Sequence, residues 1–250
     1  ISRLKIAQEK ARVLQSLAMQ TNEHRESLQR NMENLATLDL IYAKARLAKS
    51  MDAINCPMNL QSKMQLKEAR NPELTLDGET VIPNSIEWKD STKVVIISGP
   101  NTGGKTVTLK TLGLLSLMVR AGLFLPVEKK SQIPFFSEIY SDIGDDQNIQ
   151  LKLSTFSGHL EKIIRIIDNA TSGSLVLLDE LGIATDPNEG AALAESILLE
   201  LKRKNVMTLV STHYFSLKIL AQTQEGFLNA CTEFNIDTIS PTYRLIFGAP

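Results

Sequence analysis

The chain has 250 residues, 43% hydrophobic and 22% charged, with a formal net charge of −1. That balance excludes a disordered polyelectrolyte and a broadly basic nucleic-acid surface, and leaves one or two globular domains. Cys56 and Cys231 lie too far apart in sequence for a metal-ligand spacing and fit buried thiols in a reducing, cytoplasmic setting. No apolar run approaches a membrane span, so no membrane partner is expected. The opening Ile1-Ser2-Arg3 lacks Met and reads as helix interior, so the chain is expected to be a fragment of something larger.

Residues 1–55 contain neither Gly nor Pro. Leu28, Met32, Leu35, Leu38, Tyr42 and Ala45 recur at three- and four-residue spacing, which predicts a helical stripe. Leu4, Ala7, Ala11, Leu14 and Ala18 repeat it more weakly. Two antiparallel helices turning near Thr21-Asn22 satisfy this pattern; so does one continuous helix. From Cys56-Pro57 to the end, residues 56–250 read as a second domain in which short β-branched runs alternate with helical stretches. Val94–Ile97, Leu175–Leu178 and Met207–Val210 are continuous apolar runs, as expected of strands covered on both faces of a mainly parallel sheet. Thr106–Ala121, Gly158–Asn169 and Glu189–Lys204 read as helices between them, and Tyr243–Phe247 as a last strand.

The first apolar run ends at Gly99-Pro100-Asn101-Thr102-Gly103-Gly104-Lys105-Thr106, which has the G-x-x-x-x-G-K-[ST] spacing of a phosphate-binding loop. Gly103 and Gly104 permit a turn that side chains would block, and the helix starting there points free amide hydrogens at an anion. In such a loop Lys105 reaches the β- and γ-phosphates of ATP, and the Thr106 hydroxyl ligates Mg2+. The second run ends in Asp179-Glu180. Buried strand residues bring this pair to the sheet edge where ligands of open α/β sheets gather. Asp179 is then placed to hold Mg2+, and Glu180 to orient and deprotonate a water. Ser211-Thr212-His213 ends the third run, which puts His213 at the same edge, near the γ-phosphate. His24 and His159 have no comparable placement and are given no role.

These stretches, with Asp142-Ile143-Gly144-Asp145-Asp146-Gln147, Ser154-Thr155-Phe156, Leu178-Asp179-Glu180-Leu181-Gly182 and Ser211-Thr212-His213-Tyr214, together resemble the ATPase domain of the MutS family, within the ABC-type ATPases. Thr106–Gly113, Thr185–Ala192 and Leu38–Ala45 look like the bacterial paralogue branch that lacks the mismatch-reading domain. The resemblance implies a P-loop NTPase α/β sheet flanked by helices and preceded by a long-helix lever segment. It further implies ATP binding through residues 99–107, Val107 included, with Asn101 touching the γ-phosphate and water beside Glu180 and His213. Val81 and Ile82 match the stretch along the adenine, and Tyr243 the ring stacked on it; a core aromatic is the alternative for Tyr243. Ser154, Thr155 and Phe156 match the signature that meets the γ-phosphate of the opposite subunit, and Asp186 a loop crossing that contact. A homodimer is therefore implied, with hydrolysis requiring both subunits, and a DNA clamp carried mostly outside this chain. Asn71 stands where the family commonly has His, and Ala184 where Gly is usual. The family's nuclease-like domain is not in the chain, so DNA cleavage is not expected of it. A transporter-type ATPase is the alternative within enzymes, but Ser154-Thr155-Phe156 replaces its Leu-Ser-Gly-Gly segment. A switch with little turnover on another nucleic-acid machine, such as the ribosome, is the alternative from another class; Glu180 favours turnover.

Overall fold

The computed structural model describes residues 2–59, 63–144, 152–182 and 186–248, without the side chains of 152–157. By their contacts they divide into two units, one ending at Leu47 and the other beginning at Ala48. The first unit is built from α1 (Ser2–Glu23) and most of α2 (Arg25–Ser50). Only His24 interrupts them: its amide bonds to Thr21 O, and Leu28 N returns to His24 O. One residue cannot reverse a helix, since αα-hairpin loops need about two to five. The antiparallel pair is thus excluded in favour of a nearly continuous rod. Its apolar stripe stays in solvent, with Leu14, Met32, Leu35 and Leu38 all exposed.

The described residues of the second unit form three sheets. β1 (Met58–Asn59) pairs with β5 (Ile133–Pro134), and β2 (Met64–Ala69) pairs antiparallel with β3 (Asn84–Trp88), with α3 (Pro72–Leu76) between β2 and β3. The main sheet uses β4 (Val94–Ser98), β6 (Glu138–Asp142), β7 (Ser174–Leu178), β8 (Met207–Ser211), β9 (Phe227–Asn235) and β10 (Ser240–Phe247). Its order is β10-β9-β4-β8-β7-β6, parallel except for the β9–β10 hairpin. The crossovers run through α4 (Lys105–Arg120), α5 (Lys152–Asn169), α6 (Pro187–Arg203) and α7 (Phe215–Thr223).

Alternation along the strands explains why β4, β7 and β8 are apolar except for Thr208 and the serines at their ends. Val94, Ile96, Val176, Leu178 and Val210 share one cluster with Ile163 and Ile166 of α5, Ile197 and Leu201 of α6, and Leu217 of α7. On the opposite face α4 approaches so closely that a β-carbon on Gly113 would lie 2.9 Å from Leu177 Cδ1. A strand covered on both faces offers few positions for polar residues before its end. The polar residues therefore collect where β4, β7 and β8 end, on one edge.

Candidate functional site

β4 delivers the chain to Gly99, at φ 130°, and a short 3-10 turn, Asn101–Gly103, leads to Gly104 at φ 89°. Gly104 caps α4 without any side-chain bond, so the first amides of that helix face outward from the loop. Two of the loop glycines are required by what lies behind them. A β-carbon on Gly99 or Gly103 would fall 2.1 or 2.4 Å from Thr232 Oγ1 on β9. Such backbone approach, together with the helix dipole, makes the turn an anion cradle.

Lys105 is buried at the start of α4. Its ammonium donates to Gly99 O at 2.6 Å and to Asn101 Oδ1 at 2.9 Å. Burial pulls the Lys105 pKa below the ordinary lysine value, the carboxylates of Glu180 and Asp179 oppose that shift, and the Lys218 charge adds to it. Thr106 Oγ1 donates to Asp179 Oδ2 at 2.6 Å, which joins the loop to the end of β7. Ser211 Oγ, at the end of β8, donates to Asp179 Oδ1 and accepts from Glu180 N at 2.8 Å. Glu180 has φ 52°, a left-handed conformation unusual for a residue with a side chain, and Ser211 helps to hold it.

His213 is exposed beyond β8, with its ring 4.6 Å from that of Tyr214. Tyr214 Oη donates to Gly182 O at 2.9 Å, so the turn carrying Glu180 is fastened on both sides by residues leaving β8. Beside the loop a cavity of about 410 Å³ is lined by Val81, Ile82, Asn84, Gly104, Val107 and Tyr243, among others. Val81, Ile82, Val107 and Tyr243, which are far apart in sequence, thus meet at one place. Pro100 and Thr102 lie within the loop, and Thr102 is exposed.

The hydroxyl of Thr106 and the carboxylate of Asp179 are hard oxygen donors, the kind Mg2+ takes one or two at a time alongside phosphate oxygens and water. Among the described residues no group of three or more His, Cys, Asp or Glu side chains offers a fuller cage. The hydroxyl and carboxylate present fit a Mg2+ ion that takes its other ligands from phosphate and water.

A family model for MutS domain V matches residues 95–246. The chain belongs to the MutS family. Relatives carrying the name endonuclease MutS2 align across it: 47% identity over 249 residues in Bacillus velezensis, covering 100% of this chain and 32% of the relative. A putative endonuclease MutS2 of Bacillus subtilis gives the same identity and coverage, and one from Lachnospira eligens is 46% identical over 247 residues. The chain spans about a third of the length of the relatives it matches.

Within this MutS domain the departure at Asn71 has a local use. Its Oδ1 accepts from Glu73 N and Leu74 N to cap α3, and its Nδ2 donates to Thr111 Oγ1 of α4 at 3.0 Å. Asp186 caps α6 by accepting from Asn188 N and Glu189 N. Ala184, Asp145, Asp146 and Gln147 lie outside the described residues. Ser154, Thr155 and Phe156 lie near the start of α5, with side chains outside the description. His159, given no role from sequence, faces Asp142 Oδ2 through Nδ1 at 2.7 Å, and Lys162 approaches Asp142 Oδ1 at 3.5 Å. Sequence reasoning passed over Ser211, Tyr214, Thr232 and Asn84 as individuals. Only the positions of Ser211 and Tyr214 beside His213 carried a signal.

Proposed function

We propose that this domain binds ATP with Mg2+ and hydrolyses it to ADP and phosphate, as the motor of a MutS2-type DNA-processing protein. The observation that carries the reading is the Thr106 Oγ1–Asp179 Oδ2 bond, which unites a phosphate loop and a paired-acid strand end across 73 positions of sequence. Unrelated surface turns would have no reason to meet at hydrogen-bond distance.

In this reading the α4 amides and Lys105 bind the phosphates, while Thr106 and Asp179 hold the metal. A Mg2+ ion held by Thr106 and Asp179 would supply positive charge to offset that of the phosphate oxygens. Glu180 orients the attacking water and takes its proton, with its backbone fixed by Ser211. Asn101 and His213 contact the γ-phosphate and the attacking water. The cavity lined by Val81, Ile82 and Tyr243 receives the adenine. Ser154, Thr155 and Phe156 complete the site of a second subunit, so turnover belongs to a homodimer. ATP closure of that dimer would move the segment of α1 and α2 and a DNA clamp beyond it. The relatives' names speak of an endonuclease; nothing in this chain's own residues is assigned to DNA cleavage.

The test uses Lys105→Ala and Glu180→Gln in the full-length protein. Lys105→Ala should abolish ATP binding, and unchanged nucleotide affinity would defeat the assignment. Glu180→Gln should keep ATP bound while stalling hydrolysis; wild-type turnover would mean that another group is the base.

A further inference from the structure

The aromatic wall of the cavity is built from an unusual piece of backbone. β9 and β10 pair regularly from Ser240 to Pro241 and again from Leu245 onward, but the register shifts in between. Tyr243 sits inside this irregularity at φ 59°, a left-handed conformation that a bulky residue adopts only when its surroundings impose it. The ring is thereby brought against the phosphate loop: Tyr243 Cδ1 lies 3.3 Å from where a β-carbon on Gly104 would stand.

One side chain from a different sheet holds that conformation. Asn84, the first residue of β3, donates from Nδ2 to Tyr243 O at 2.9 Å and accepts at Oδ1 from Leu245 N at 2.7 Å. The amide thus spans the irregular turn, pairing one carbonyl and one amide hydrogen of its backbone. Thr242 braces the other side, donating to Glu233 Oε2 at 2.8 Å. Asn84 also follows directly on the stretch containing Val81 and Ile82, which lines the same cavity. The two walls of the pocket, contributed by segments about 160 positions apart, are therefore joined by a single amide.

We propose that Asn84 is a positioning residue for the nucleobase: its two hydrogen bonds hold the Tyr243 bulge so that the ring meets the base bound beside Gly104. The inference rests on the nucleotide reading above and extends it to a residue that touches neither phosphate nor metal. Asn84 acts on the base end of the ligand alone. Its loss should be felt by ATP and not by a ligand without a base.

The experiment titrates the full-length protein with Mg-ATP and with Mg-tripolyphosphate, for wild type, Asn84→Ala, Tyr243→Ala and the double variant. Asn84→Ala should weaken ATP about tenfold, within the range that base–aromatic stacking supplies. Its tripolyphosphate affinity should stay within about twofold. In the Tyr243→Ala background, Asn84→Ala should cost little more, because the ring it positions is gone. Asn84→Ser keeps one hydrogen-bonding group, should show a smaller loss of the same kind, and provides the readout if the alanine variant does not fold. Equal weakening of both ligands, full additivity with Tyr243→Ala, or wild-type ATP affinity in Asn84→Ala would overturn the inference. If the wild-type protein bound ATP no better than tripolyphosphate, the nucleobase reading would fall and this inference with it.

Discussion

Replacing Gly103 with alanine puts the packing of the phosphate loop to a quantitative test. A β-carbon there would stand 2.4 Å from Thr232 Oγ1 and 3.0 Å from Thr232 Cβ. Both are far inside van der Waals contact. Gly103 is buried, and Thr232 is a β-branched side chain with few rotamers to retreat into. Overpacking of this kind costs about 1–3 kcal/mol. At about 2–4 °C per kcal/mol for a chain of this size, a cost of about 2 kcal/mol lowers the melting temperature by about 4–8 °C. The partner substitution should behave quite differently. Thr232 Oγ1 is buried without a hydrogen-bond partner among the described residues. Thr232→Ala removes that unsatisfied hydroxyl, a relief of about 1–3 kcal/mol, against a lost methyl worth about 0.8 kcal/mol. It should be neutral to slightly stabilising. In the double variant the oxygen clash is gone and only the tight Cβ contact remains, so most of the loss should return, with a coupling energy of at least about 1 kcal/mol. Thermal and urea denaturation followed by circular dichroism on all four proteins measures the cycle. Strict additivity, or an unchanged melt for Gly103→Ala, would refute the claim that Thr232 backs the loop.

Ser211→Ala should raise the Mg2+ concentration needed for ATP-dependent activity about 10- to 100-fold, because Asp179 loses the bond that orients it; superimposable Mg2+ titrations would contradict this. Tyr214→Phe keeps the ring beside His213 but releases Gly182 O. A hydrogen bond worth about 0.5–1.5 kcal/mol predicts a kcat about two- to tenfold lower with ATP affinity unchanged; a change confined to affinity would count against it. Burial raises the Cys56 pKa to about 11 and moves that of Cys231 in the same direction. Since the thiolate is the nucleophile, Cys56 should be about one part in a thousand reactive form at pH 8, and both thiols should label slowly with iodoacetamide. Rapid modification of the folded protein at that pH would disprove the assigned environment.

The parts of the fold that could be read in advance are those where burial removes all choice from the sequence. β4, β7 and β8 are covered on both faces, so their residues are apolar but for Thr208 and the serines at their ends, and the site residues stand where the strands finish, at Gly99, Asp179 and Ser211. β6 and β9 were not recognised, because exposed and buried positions mix along them: β6 is an edge strand, and β9 ends in the exposed Asn235. α5 begins six residues ahead of Gly158, a glycine that reads as a helix start and instead lies inside the helix. At the site, Lys105, Thr106 and Asp179 were legible because they stand in short motifs at the ends of apolar runs, and Thr106 and Asp179 do meet. Thr232 and Asn84 were not, since each serves a partner more than 100 positions away and nothing local marks the need. The exposed rod of α1 and α2 shows the reverse case, a clear periodicity that specifies a helix without specifying what it packs against.

Lys105 gives up no free valence lightly. Two of the three protons on its ammonium are already committed to oxygens of its own loop, the Gly99 carbonyl and the Asn101 amide. A triphosphate arriving as proposed would meet the third proton first, and would gain a second only by displacing an internal ligand such as the Asn101 amide. The released Asn101 side chain would then swing clear at the same moment that a terminal phosphate needs a neighbour. Loop and cargo would rearrange in one concerted exchange.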